Sequence, residues 1–341
     1  MKSIKHLDCF VYSVLFFILL YFVGGRSRSV GTDTDAYYRI YDIILDDSWP
    51  ASEKKWEPLY QLLNYIVGGL GGGAEIVLLV ASFITLFSIF LFIRKTSTNI
   101  YFSLFLYFSA FGYLLSFNIV RHSLSLAFFI WSVYFFVNKK RFLSLSFIVI
   151  SFCFHYTISI VFFIFVFIYY MANERRLFVV WLASLIFLAF PEIIKLVFLS
   201  FVDLIFMFVP EYYRVYISDE VFLTPDLGVK IIFNQIIFIF LLYGMVKYKN
   251  KIHGSYIYYV YMSLAGVVFL NFFYYIQYFN RFYVFLEFFN VLSIPLILRL
   301  VFSKSSYVIA VLTLILVFSI LFVRALLEGS NGIATYSNWI F

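Results

Sequence analysis

Three short stretches set an arginine or a histidine at the edge of an apolar run. "SFNIVRHSLSLAFF" carries Arg121, with Asn118 and Ser125 spaced to share its helical face and His122 beside it. "SFCFHYTISI" carries His155, and "YIQYFNRFYVFLEFFN" carries Arg281, with Gln277 one turn before it, Tyr283 just after it, and Glu287 and Asn290 deeper. An ionisable side chain at bilayer depth costs about 3 kcal/mol or more, so each needs a reason. Guanidinium pairs bidentately with phosphate oxygens and does not deprotonate. Two arginines at a membrane boundary therefore suit a lipid-linked phosphate or diphosphate. Imidazole is the side chain suited to proton transfer near neutral pH, so His155 is a candidate general base. The structural alternatives are arginines snorkelling to headgroup phosphates, a histidine that only caps a helix, and a Glu287 paired with an arginine for packing.

The densest polar segment, Gly31–Tyr60, holds five aspartates, two glutamates, four tyrosines and two tryptophans. Asp33 and Asp35 compete with His155 for the role of base. An Asp-x-Asp pair also suggests a divalent cation, but oxygen ligands at fixed spacing are missing from the sequence, and neither metal nor cofactor is expected. Tyr37, Tyr38, Tyr41, Trp49, Trp56 and Tyr60 alternate with carboxylates. Aromatic faces stack on the C–H faces of sugars and carboxylates accept from their hydroxyls, so the segment suits a glycan. Packing of a lid is the alternative.

These residues need apolar helices to hold them. The chain has 341 residues, of which 64% are hydrophobic and only 13% charged, too few to cover a soluble fold. The expected class is an all-α polytopic membrane protein with about 11 transmembrane helices. Spans are expected near 7–23, 74–93, 99–117, 118–137, 142–155, 156–171, 177–197, 229–246, 255–277, 281–300 and 306–324, in a single transmembrane domain with external loops near 24–73 and 198–228. The first run reads as a span instead of a cleaved signal. The net charge of +7 does not point to nucleic acid, because the cations sit in short loops: Arg94-Lys95, Lys139-Lys140-Arg141, Arg175-Arg176, Lys247 to Lys251, and Arg299 with Lys304. With Lys2 and Lys5 they fall on one side, the cytoplasmic one, which leaves the acidic stretch, Arg121, His155 and Arg281 outside. Residues 57–73 are apolar enough to span, but a span there would put Arg94-Lys95 outside. A re-entrant or interfacial helix that starts at Pro58 and ends in glycines is expected instead. Cys9 and Cys153 lie inside apolar runs and read as small hydrophobes.

"GTDTDAYYRIYD", "WEPLYQLLNYIV", "NIVRHSLSLAFF" before "NKKRF", "FCFHYTISIVFF" and "NRFYVFLE" resemble, in order and spacing, the motifs of the EpsG/Wzy family of bacterial polysaccharide polymerases. The resemblance covers most of 24–170 and, more weakly, 271–290. It sets Gly31, Asp33, Asp35, Glu57-Pro58, Asn118, Arg121, His155 and Arg281 at the family's polar positions. Members usually carry glutamine directly after the arginine of the third motif. Here His122 stands there, so a substrate contact made by that glutamine is altered or replaced. The resemblance implies a GT-C-like helical fold in the bacterial inner membrane. It implies an inverting transfer of a growing glycan from undecaprenyl diphosphate onto a lipid-linked repeat unit, with a flippase and a chain-length regulator as partners. In that scheme Arg121 and Arg281 bind the diphosphate, while Glu57, Asn118, His122, Gln277 and Tyr283 bind or support the glycan.

Three other classes compete. A lipid-linked oligosaccharide flippase or other transporter predicts internal symmetry and polar residues at the midplane, whereas here they gather toward one face. An O-antigen ligase-type glycosyltransferase shares the chemistry and differs in acceptor. An acyltransferase places its histidine near a cytoplasmic donor.

Overall fold

The computed structural model describes residues 2–46, 48, 56–193, 195–197, 200, 228–276, 280–333 and 336–340. Helices dominate, and the described residues hold no named strand, only an isolated antiparallel bridge between Arg26 and Asn338. Six helices are long and apolar enough to cross a membrane, or seven if the bent pair Glu174–Ala189 and Pro191–Val197 is one span. The expected external loop after residue 198 lies almost wholly outside the described residues.

The described residues form two compact units. The first comprises residues 1–162 and 308–341. Its helices are α1 (Lys2–Gly24), α2 (Thr34–Leu45), α3 (Pro58–Gly69), α4 (Ala74–Thr96), α5 (Ile100–Ser109), α6 (Val120–Val137) and α7 (Arg141–Phe154), with parts of Ile158–Met171 and Lys304–Leu327. At 23 residues α4 is about 35 Å long, enough for the bilayer core. Glu75 in its first turn and Arg94-Lys95 in its last complement the helix dipole. The 12 residues of α3 reach only about 18 Å, so it is too short to span. Pro58 opens it, and the glycines that follow close it.

The expected span 99–117 is broken. Helix α5 stops after 10 residues, Gly112 adopts φ +138°, and a 3-10 turn over Leu114–Phe117 follows. Only glycine takes that φ without strain, which ends the apolar helix halfway along the run.

Helices α6 and α7 form a hairpin joined through hydroxyls: Ser125 and Ser151 are 2.8 Å apart, and Ser132 bonds the Ser144 carbonyl at 2.9 Å. Small polar residues let two apolar helices approach closely in lipid. Ser88 of α4 reaches the Ala127 carbonyl of α6 at 2.6 Å and accepts from the Trp131 indole at 3.0 Å.

Charge sorts the two ends of this unit. Arg94 lies over the Tyr12 ring at 5.7 Å and Lys95 over Tyr134 at 5.4 Å, so the start of α1 and the end of α6 share the Arg94-Lys95 end. Arg26, Glu57, Arg121 and His155 lie at the opposite helix ends.

The second unit comprises residues 163–307. Helices Glu174–Ala189, Val229–Tyr248 and Gly254–Phe273 are tied by a buried amide network. Trp181 donates to Gln235 at 2.8 Å, Gln235 to Asn271 at 2.8 Å, and Asn271 to Ser184 at 2.9 Å. Glu174 pairs with Lys249 at 2.7 Å, which brings the Arg175-Arg176 and Lys247–Lys251 loops to one end of this unit.

Candidate active site

Glu57 is the residue before Pro58, and that proline excludes the helical region for its neighbour. Its backbone is accordingly extended, with φ −62° and ψ 141°, and it caps α3. The side chain is buried at 5% exposure, and both of its oxygens are taken. Oε2 accepts from Arg121 Nη1 at 2.6 Å, and Oε1 lies 2.7 Å from His155 Nδ1. Arg121 stands in the first turn of α6, where a cation faces the positive end of the dipole, and the carboxylate offsets that cost. His155 is the C-cap of α7, its extended backbone donating to the Ser151 carbonyl at 3.0 Å. Three helix ends thus deliver an arginine, a carboxylate and an imidazole to one point.

Burial opposes ionisation of Glu57, but the hydrogen bond with His155 and the charge of Arg121 outweigh it and hold the carboxyl below the usual carboxylate range. An ionised carboxylate only accepts, so His155 donates from Nδ1, and in the neutral ring Nε2 carries the lone pair. A fixed tautomer with a free basic nitrogen is what a general base needs. The His122 ring centroid lies 5.4 Å from that of His155, which places His122 beside the base. Among the described residues Arg121 Nε has no partner, so the guanidinium keeps donor capacity beyond its bond to Glu57.

Asn118 works as a pin. Its Oδ1 accepts from the Thr32 amide at 2.7 Å, and its Nδ2 donates to the Asn331 carbonyl at 3.1 Å. Gly31 bonds the Gly332 carbonyl at 3.0 Å with φ +92°, and a Cβ there would sit 2.7 Å from Asn118 Oδ1, so only glycine fits. The expected common face of Asn118, Arg121 and Ser125 does not exist: α6 begins at Val120, Asn118 holds the loop, and Ser125 is spent on Ser151.

Asp33 precedes α2 and accepts from the Thr32 hydroxyl at 3.1 Å. Asp35 is half-exposed between Arg28 at 2.6 Å and Arg39 at 3.2 Å, and the hydrogen bond from Arg28 holds its carboxyl below the usual range. Of the aromatics expected to meet sugar, Tyr37 and Tyr60 are buried and meet edge-on at 6.0 Å in a core with Leu124 and Phe154. They hold α2 on α3. Tyr38 lies under Arg28 at 5.1 Å, and Trp49 falls outside the described residues.

In the second unit Arg281 lies in the helix Asn280–Glu287, and Gln277 falls outside the described residues. Tyr283 accepts from Lys230, and Glu287 lies 3.7 Å from the Lys230 ammonium, so the partner of Glu287 is a lysine and not the expected arginine.

The sequence reading passed over Lys230 and Arg26. Arg26 follows the first apolar run directly, the same boundary signal that marks Arg121.

Among curated proteins and among solved structures, nothing matches the chain. The family model of the EpsG family matches residues 9–338, nearly the whole sequence, and the chain belongs to that family, whose membership suggests a polysaccharide-polymerase-type role.

Proposed function

We propose that this protein polymerises a bacterial surface polysaccharide, such as an O-antigen, at the external face of the inner membrane, with its N-terminus in the cytoplasm. It moves a growing glycan from undecaprenyl diphosphate onto the terminal hydroxyl of a lipid-linked repeat unit. The carrying observation is Glu57, buried and bridging Arg121 to His155 at the end of its unit opposite the basic loops.

Outside the cell no nucleotide sugar is at hand, and a polyprenyl diphosphate leaving group supplies the driving force. The acceptor hydroxyl oxygen attacks the anomeric carbon from the face opposite the diphosphate. The bond from that carbon to the diphosphate oxygen breaks, its electron pair leaves with the diphosphate, and the configuration inverts. The hydroxyl proton passes to His155 Nε2. Preorganised cations stabilise the charge gathering on the diphosphate. Arg121 serves through the donor capacity it keeps beyond its bond to Glu57. Asp33 and Asp35 remain competitors for the proton or hold sugar hydroxyls. No metal enters the scheme. A flippase that delivers repeat units and a chain-length regulator are the expected partners.

Deleting the protein in its host and resolving the surface polysaccharide on a gel tests the reading. A polymerase deletion leaves single repeat units. Unattached polymer in its place indicates a ligase, and loss of both indicates a flippase.

A further inference from the structure

Arg26 is fully buried within the first unit. Its Nε donates to the Thr34 hydroxyl at 3.2 Å and its Nη1 to the Val23 carbonyl, while Nη2 has no partner among the described residues. Burial pulls its pKa down to about 10, and the charge interactions that oppose this come, among the described residues, from Tyr37, Tyr38, Tyr60 and Tyr113. A buried cation that finds, among the described residues, neither a carboxylate bond nor a partner for one amino group is costly unless something else supplies them.

The guanidinium lies over the Phe117 ring, 5.7 Å from its centroid. Phe117 also lines a cavity of about 740 Å³ within the same unit, so its ring stands between the buried guanidinium and that space. The cavity runs between α1, α5 and the helix Lys304–Leu327, and Leu19, Phe108, Leu114 and Phe322 help to line it. Its size falls in the range that holds one small-molecule guest, ~300–1,000 Å³. At its rim Leu15, Phe22 and Tyr101 are exposed, so a chain can enter from the side. The break after α5 makes room for it, because the apolar run turns aside at Gly112 instead of continuing as a straight helix.

We propose that Arg26 and this cavity form a subsite for the lipid carrier, with Arg26 taking a phosphate oxygen of a polyprenyl diphosphate and the cavity taking the isoprene units next to it. The choice of carrier rests on the polymerase reading. The anion supplies the missing counter-charge, and the branched apolar chain fills a space with almost no polar lining.

The probe is undecaprenyl diphosphate carrying a diazirine on an isoprene unit next to the diphosphate, with the full-length protein in phosphatidylcholine nanodiscs. Irradiation is expected to leave adducts within 104–117 and 322–333. Excess unlabelled undecaprenyl diphosphate is expected to displace them, and equal phosphatidylglycerol is not. Arg26→Gln is expected to lower labelling about tenfold, the loss of a hydrogen bond to a charged group. Leu326→Trp, which fills the cavity, is expected to block labelling. Adducts elsewhere, equal displacement by phosphatidylglycerol, or unchanged labelling in Arg26→Gln overturns the proposal. Should Arg26→Gln not fold, the wild-type adduct map and its competition decide alone. Incubating the same nanodiscs with lipid-linked repeat units separates the two claims. A glycan ladder with adducts outside the cavity refutes the subsite only, and cavity adducts without a ladder refute the polymerase only.

Discussion

Glu57 and His155 stand 98 residues apart in the chain, and their side chains meet with 2.7 Å between Oε1 and Nδ1. The carboxylate fixes the ring's tautomer and orientation, as a carboxylate does for the base of a hydrolytic triad. Glu57→Gln keeps the shape but offers the ring either an amide donor or an acceptor. Turnover is expected to fall at least about a hundredfold, the scale of a general acid–base contribution. Single-turnover transfer rates on purified protein check this.

The depressed pKa of Glu57 carries a stability prediction with a definite sign. A carboxyl whose folded pKa lies below its unfolded value stabilises the fold above the unfolded value and loses that contribution as pH falls through the folded one. Thermal unfolding of the wild type in nanodiscs is therefore expected to hold steady above the ordinary carboxylate range, to begin falling as pH enters that range, and to have lost this contribution once pH is below the folded value. Glu57→Gln is expected to lower the midpoint at neutral pH and to flatten this acid limb.

Arg121 and Glu57 form one unit, joined at 2.6 Å. In a double-mutant cycle of Arg121→Gln and Glu57→Gln, turnover losses are expected to be non-additive by about 1–3 kcal/mol. Arg121→Lys keeps the charge but not the fork, and is expected to impair turnover strongly. A snorkelling anchor predicts near-additive effects, good substitution by lysine, and losses in expression instead of rate.

Much of this architecture is legible in the sequence because charge and hydropathy are local signals. The loop cations sort to one end of the first unit, α3 starts at Pro58 and ends in glycine, and Arg121 and His155 fall at the helix ends where their motifs put them. What escapes is whatever depends on partners distant in sequence. Nothing in "KKWEPLYQ" says that Glu57 joins Arg121 to His155. Nothing in the spacing of Tyr37 and Tyr60 separates sugar-facing rings from a core that welds α2 to α3. The halt of α5 is visible only as one glycine in an apolar run, a signal too weak to outweigh the hydropathy around it.

Asp35 tests the acidic loop. Its pairs with Arg28 and Arg39 are exposed and screened by solvent, so they add little to stability. Asp35→Ala and Asp33→Ala are therefore expected to leave insertion and unfolding nearly unchanged while shortening or abolishing polymer. Wild-type chain length in both variants, read on a gel of surface polysaccharide, reduces the loop to a connector.

Ser48 and Ser97 lie at opposite ends of the expected topology. A cysteine at 48 is expected to react with an impermeant thiol reagent in intact cells whose outer membrane admits it, and one at 97 is not. Reaction at both positions means that 57–73 crosses the bilayer.

The most direct measurement is polymerisation of synthetic undecaprenyl-diphosphate repeat units by the purified protein, comparing wild type, His155→Gln and Glu57→Gln with unfolding checked in the same preparations. The account predicts a glycan ladder from the wild type without added metal and only unextended repeat units from both folded variants. A full ladder from His155→Gln, or no ladder from a folded wild type, contradicts it.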